Sequence, residues 1–237
     1  MKKSHPARRR ILAVLLGLAP LYLFVIGSHV LTGGAYTLKA MLLDPLIVGS
    51  AMIVWLAFLY RTLGGKDWRR INRKPGTPAK DVVSGIGLGA GLLLLVWIQR
   101  ATINRWLPGP PANPATLTLI RGLARDPLLL ALWLGPVVWI GVAVLEEFQR
   151  AFMLDLLGED APGTKRRVFL IFLSSALFGL AHIYQGPAGV AGNFLFGAVM
   201  GLYYFGRGRI VPMIIGHAID DSVQIVMAVI QIGRLGG

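Results

Sequence analysis

The stretch PLLLALWLGPVVWIGVAVLEEFQR, residues 127–150, carries the pattern that decides the fold. Its first part, 127–145, contains no charged residue, and two adjacent glutamates follow it directly. An apolar run of about 20 residues is long enough for a helix to cross the hydrocarbon core of a bilayer. The stretch therefore predicts a transmembrane helix with two carboxylates at the end of its apolar run.

Long apolar runs separated by short basic segments make up most of the remaining chain. Of the 237 residues, 55% are hydrophobic and 15% are charged, whereas soluble domains carry about 25% charged residues. We therefore predict an all-α, polytopic transmembrane bundle of about seven helices, with a tight turn at 185–187 inside the longest run. Besides 127–145, the runs lie at 11–31, at 45–60, which residues 41–43 can extend, and at 82–99, 168–206 and 210–233. The run 168–206 is long enough for two helices.

The basic residues give the chain a formal net charge of +13 and are concentrated in four places. They lie before residue 11 and within 61–80, 165–167 and 207–209. Under the positive-inside rule, these segments and the N-terminus lie on the cytoplasmic side of the membrane. We expect an integral protein of a prokaryotic cell membrane, with membrane lipid and no nucleic acid among its partners.

Two further segments are predicted as loops. Residues 107–114 are rich in proline and predict an extracytoplasmic loop, while the polar segment 155–167 predicts a cytoplasmic loop with a basic end. The expected division of the chain is an N-terminal transmembrane pair with its basic cytoplasmic loop, 1–80, followed by a transmembrane core, 81–237.

The adjacent glutamates require a reason, because a carboxylate at mid-membrane costs about 2.5–3.5 kcal/mol on insertion scales. Glu146 and Arg150 are four residues apart and should share one helix face, while Glu147 points about 100° away. Two close carboxylates do not both ionise readily in a low dielectric, and one of them is a candidate general base. The alternative interpretation is a charge cluster at the cytoplasmic end of the helix.

Two histidines also lie within apolar runs. Phe178 and His182 are four residues apart, as are His217 and Asp221, whereas Asp220 is turned away from His217. A histidine in such a place can be a packing residue or part of a polar clasp between helices. Glutamates and histidines that converge on apolar helices suit activation of a water molecule. They also suit a divalent metal such as zinc.

At these residues the sequence resembles the CAAX protease and bacteriocin-processing enzyme (CPBP) family, also called the Abi family, of intramembrane proteases. The similarity covers residues 127–230, the predicted motif region of the core. The family has three motifs in this order on successive core helices. In this chain a diglutamate followed by arginine is matched by Glu146, Glu147 and Arg150, Phe-x-x-x-His by Phe178 and His182, and His-x-x-x-Asn or Asp by His217 and Asp221.

The resemblance implies a membrane-embedded, glutamate-dependent endopeptidase that cleaves peptides near the membrane, and both prenylated and unmodified substrates stay open. Glu146 and His182 would activate water, and His217 and Asp221 would stabilise the tetrahedral intermediate. Arg150 and Phe178 would support the site. If a metal takes part, Glu146, His182 and His217 would be its ligands.

One departure from the family pattern leaves open which of the two glutamates is the general base. The family spacing is E-E-x-x-x-R, whereas this chain has E-E-x-x-R. Glu146 is favoured as the base because it shares a helix face with Arg150, and Glu147 remains a candidate. Straight helices would place Glu146 near the cytoplasmic side and His182 nearer the outside. They meet only if the histidine helix starts well below the membrane, near Lys165, and the glutamate helix begins above it.

Other functions remain open from the sequence. A non-catalytic scaffold or immunity protein on the same fold is one alternative, and an ion- or proton-coupled transporter is another. The absence of cysteine excludes a disulfide or a thiol nucleophile. The glycine-rich segment 85–91, GIGLGAG, does not match a nucleotide loop and predicts a close helix-packing face.

Overall fold

The computed structural model describes residues 6–32, 37–107, 114–158 and 163–235. These residues contain eight main helices, short helical turns at 68–71, 103–106 and 183–185, and no strand. The helices are α1 (Pro6–Thr32), α2 (Leu38–Thr62), α3 (Pro78–Ala101), α4 (Pro114–Arg125), α5 (Pro127–Gly158), α6 (Thr164–Ala181), α7 (Gly186–Arg207) and α8 (Val211–Leu235).

The prediction of an all-α membrane bundle is confirmed, although the number of helices differs from about seven. The additional helix, α4, comes directly after the predicted loop 107–114, of which 108–113 lie outside the described residues. Within the described part of the chain, five stretches are long and apolar enough to cross a membrane. They are Leu38–Thr62, Pro78–Trp106, Pro127–Gly158, Ile183–Arg207 and Val211–Ile232.

Helix α5 does not end at the glutamates. It continues to Gly158, and α6 starts at Thr164, so the prediction of a loop over 155–167 is wrong at both ends. Residues 159–162 lie outside the described residues. Three of the four charged residues of this last part, Glu147, Arg150 and Asp155, are buried against other helices. Because their charges are paired within the protein, they do not terminate the helix as they would at a lipid surface. The two glutamates therefore lie in the interior of the helix.

A π-helical segment, Trp133–Val144, comes immediately before the glutamates. It contains Pro136, which has no N–H to donate, and Gly135, whose φ of −88° and ψ of −105° are not helical. Gly141 in this segment touches α2 closely, since a Cβ placed there would lie 2.8 Å from the backbone of Pro45. Wide turns of this kind occur often at functional sites, because they change which face the following residues occupy.

The glycine-rich segment of α3 is a packing face, as predicted. A Cβ on Gly85 would lie 2.6 Å from Ile215 of α8, and one on Gly89 would lie 3.0 Å from Ile219. Gly87 has no such neighbour within 4 Å. Small residues on one face of α3 thus let α8 approach closely, and α8 carries the third motif.

The predicted turn within 168–206 is present. A 3₁₀ turn over 183–185 leads into Gly186, whose φ of 75° lies in the left-handed region that glycine adopts readily. Helix α6 starts at Thr164, next to Lys165, and α5 starts at Pro127.

Candidate active site

Glu147 joins α5 to α8 at the centre of the bundle. Its side chain is 0% exposed, and its Oε1 accepts a hydrogen bond from Nδ1 of His217 at 2.8 Å. Its Oε2 lies 3.5 Å from Nε of Arg150, whose side chain is 2% exposed. Both carboxylate oxygens of Glu147 are thus engaged by groups that are themselves buried.

The pairing of Arg150 differs from the expectation. Arg150 was expected to pair with Glu146 at a spacing of four residues, but it pairs with Glu147 at a spacing of three. Both spacings bring side chains together on a helix. The fully buried carboxylate takes the guanidinium because a buried charge without a partner is strongly unfavourable. Glu146 retains 21% exposure of its side chain.

His217 is the residue on which the carboxylates converge. Its Nε2 lies 3.5 Å from Oε2 of Glu146 and 3.5 Å from Oδ2 of Asp221. With Glu147 at Nδ1, three carboxylates from two helices surround one imidazole. The structure therefore brings Glu146, Glu147, His217 and Asp221 directly together.

Two phenylalanines form an aromatic wall around these charges. The guanidinium of Arg150 lies 4.3 Å from the ring centre of Phe178 and 5.8 Å from that of Phe196. Phe196 also packs against His217 with 4.7 Å between ring centres. Phe178 belongs to a predicted motif, but Phe196 of α7 was missed, because no motif distinguishes it from other apolar residues of its run.

His182 lies at the edge of this group. It follows the last residue of α6, and its Nδ1 is 2.9 Å from the backbone oxygen of Phe178. Among the described residues, no hydrogen bond or ion pair joins it to a carboxylate. The ring of Phe178 contacts both histidines, at 4.7 Å from His182 and 6.4 Å from His217. The second motif is thus connected to the centre through Phe178.

A small cavity lies against Glu146 on the side of α1. It has a volume of about 20 Å³, and its lining includes Glu146, Gln149 and Arg150 from α5, and Tyr22 from α1. A single water molecule needs roughly 10–15 Å³ by this measure, so the cavity has room for one. The sequence did not indicate that α1 would contribute to the site, since this helix carries no motif.

Buried donors without a protein partner line the same cavity. Nε2 of Gln149 and both Nη atoms of Arg150 have no hydrogen-bond partner among the described residues. The side chains are 9% and 3% exposed. Buried donors are nearly always satisfied by protein or by water. These two side chains therefore favour a small acceptor, such as a water or a carbonyl oxygen, next to Glu146.

Asp155 is a buried polar residue that sequence reasoning missed, because the sequence predicted a loop at this position. It accepts hydrogen bonds from Tyr60 and Lys66, each at 2.5 Å, and lies 3.2 Å from Nε of Arg73. This cluster ties the basic segment 61–80 to the end of the glutamate helix. No local pattern marked it, since its members are far apart in the chain.

The side chains considered as metal ligands are not arranged around a common point. Across the described ranges, no three His, Asp or Glu side chains are placed to hold an ion together. In the conditional ligand set of Glu146, His182 and His217, Nδ1 of His182 is directed to a backbone oxygen. That hydrogen bond leaves Nε2 of His182 available, and the involvement of a metal stays a prediction.

Comparison with known proteins points to a protease family. Residues 128–223 match the model of a family described as type II CAAX prenyl endopeptidase Rce1-like. No curated protein and no solved structure matched the chain. The matched residues include all three motifs, from Glu146 to Asp221. The motif-bearing part of this chain is therefore similar to the CAAX protease family, in agreement with the resemblance seen in its sequence pattern.

Proposed function

We propose that this protein is an intramembrane endopeptidase that hydrolyses peptide bonds with water activated by Glu146. The observation that carries the proposal is the arrangement around Glu146. One of its oxygens lies 3.5 Å from Nε2 of His217, and its side chain lines a cavity with room for a single water. A carboxylate between a water and an imidazole is an arrangement suited to general base catalysis.

The choice of Glu146 over Glu147 follows from their environments. Glu147 is 0% exposed and uses one oxygen for His217 and the other for Arg150. It does not line the cavity, so its task is to hold His217 and Arg150 in place. Glu146 is 21% exposed and lies at the cavity. The base proposed from the sequence is thus supported, but by accessibility rather than by its pairing with Arg150.

In the proposed reaction, Glu146 takes a proton from the water as the water oxygen bonds to the scissile carbonyl carbon. The carbonyl π electrons move to oxygen, and the resulting oxyanion accepts a hydrogen bond from an N–H at Nε2 of His217. Asp221, 3.5 Å from that nitrogen, orients it. When the C–N bond breaks, Glu146 returns the proton to the leaving amine, and the products are a carboxylic acid and an amine.

His182 is assigned a supporting role at the rim of the site. Its Nδ1 is held by the backbone oxygen of Phe178 at 2.9 Å, which leaves Nε2 as the nitrogen that can contact water or substrate. Asp221 and His217 are close enough to interact with it electrostatically. It is therefore placed to assist Glu146 and His217 from the rim of the site.

The test is cleavage of a defined peptide by the purified protein in vesicles. The family description suggests a prenylated substrate, so a farnesylated peptide and its unmodified twin are compared by mass spectrometry. We expect cleavage by the wild type and loss of cleavage in Glu146→Gln. If no peptide is cleaved, or if the variant retains full activity, the proposal is wrong. Retained biological activity in the variant would then indicate a scaffold, and ion flux in the vesicles would indicate a transporter.

A further inference from the structure

A second, larger cleft lies on the basic side of the bundle. It has a volume of about 520 Å³ and is formed by the start of α3, the end of α7 and the connecting residues around 74–76 and 209. None of its lining residues belongs to the candidate active site. Its volume is in the range of about 300–1,000 Å³ that is typical of small-molecule sites.

Arg209 holds the walls of the cleft together. Its Nε donates to Oδ1 of Asp81 at 3.1 Å, Nη2 makes a second contact to the same carboxylate, and Nη1 donates to the backbone oxygen of Lys74 at 3.0 Å. Asp81 is 6% exposed. The bidentate pair neutralises both charges and fixes the start of α3 against the end of α7. The cleft is thus a built feature rather than a gap between loops.

The other charges in the cleft are positive. Lys74, Lys80 and Arg207 line it, and none of them forms an ion pair with a described carboxylate. Nζ of Lys74 donates to the backbone oxygen of Gly206 at 2.7 Å, which fixes the amine without neutralising it. Once the Arg209–Asp81 pair is set aside, three cations face one concave space. An anion is the ligand that this space fits.

The position of the cleft along the helices identifies the kind of anion. It lies at one end of two stretches that can cross the membrane, Pro78–Trp106 and Ile183–Arg207, which is the depth of the lipid headgroups. The positive-inside rule places this end on the cytoplasmic side. Basic pockets between transmembrane helices on that side are suited to anionic lipid headgroups. We propose that the cleft binds the headgroup phosphate of an anionic phospholipid.

The experiment compares two double variants with equal changes in charge. Lys80→Gln with Arg207→Gln removes two cations from the cleft, and Arg61→Gln with Lys165→Gln removes two exposed cations from the same side outside it. All four side chains are exposed, so both variants should fold. Binding of phosphatidylglycerol and of phosphatidylcholine is measured on the purified protein by native mass spectrometry.

We expect the wild type to prefer phosphatidylglycerol. The cleft variant should lose roughly 30-fold in affinity, because each cation near an anionic surface contributes a factor of about five. The control variant should keep most of its affinity. Equal losses in the two variants, or equal binding of the two lipids, would overturn the proposal. Inorganic phosphate that displaces the lipid at matched ionic strength would identify a free-phosphate site instead.

Discussion

Replacing the two adjacent glutamates one at a time separates stability from catalysis. In Glu147→Gln, the Arg150 guanidinium keeps its charge but loses its carboxylate, while its side chain remains 2% exposed. Removing one partner of a buried ion pair costs about 3–5 kcal/mol. For a chain of this size, 1 kcal/mol corresponds to roughly 2–4 °C in Tm. We therefore expect Tm to fall by roughly 6–20 °C.

Glu146→Gln should behave in the opposite way. The side chain of Glu146 is 21% exposed, and its contact to His217 is 3.5 Å, longer than a good hydrogen bond. A contact of this kind contributes about 0–1 kcal/mol, so Tm should change little. Loss of the general base should lower kcat by about 10²–10⁴-fold.

Thermal unfolding and peptide cleavage, measured on the same preparations in one detergent, test both statements. Tryptophan fluorescence can report unfolding, since the chain has six tryptophans. A wild-type Tm in Glu147→Gln would refute the argument from burial. An active Glu146→Gln together with a stable, inactive Glu147→Gln would exchange the roles of the two residues.

Three further predictions test other parts of the structure. Gln149→Leu removes a buried donor without a protein partner, so Tm should stay level or rise. The value of kcat should fall about 10–100-fold, because the side chain no longer positions a water. A lower Tm with unchanged kcat would indicate a packing role instead. Asp155→Asn weakens three polar contacts and should cost about 1.5–3 kcal/mol in thermal unfolding without changing kcat of the folded protein; a large fall in kcat would contradict this. Gly85→Ala should destabilise by about 1–3 kcal/mol because its Cβ would meet Ile215 at 2.6 Å, whereas Gly87→Ala should not lower Tm, and equal effects would refute the proposed α3–α8 contact.

The membrane bundle and the motif residues could be read from the sequence for physical reasons. Hydropathy is a local property, so an apolar run of sufficient length identifies a spanning helix without knowledge of its neighbours. A carboxylate within such a run is costly in lipid, and this forces it toward the protein interior. Glu146, Glu147, His182, His217 and Asp221 were therefore expected to converge. The structure brings four of them directly together, whereas His182 lies at the edge and is connected through Phe178.

The partners of these side chains depended on which helix lies opposite. The spacings of three and four residues along the helix allowed Arg150 to pair with either glutamate. It pairs with Glu147 because that side chain is buried against α8. The cavity at Glu146 needs α1, and the contacts of Asp155 join positions far apart in the chain. Packing between distant segments decides burial, and burial decides which charge is paired and which one can reach water. That choice gives two neighbouring glutamates different environments, a distinction that a one-dimensional pattern does not contain.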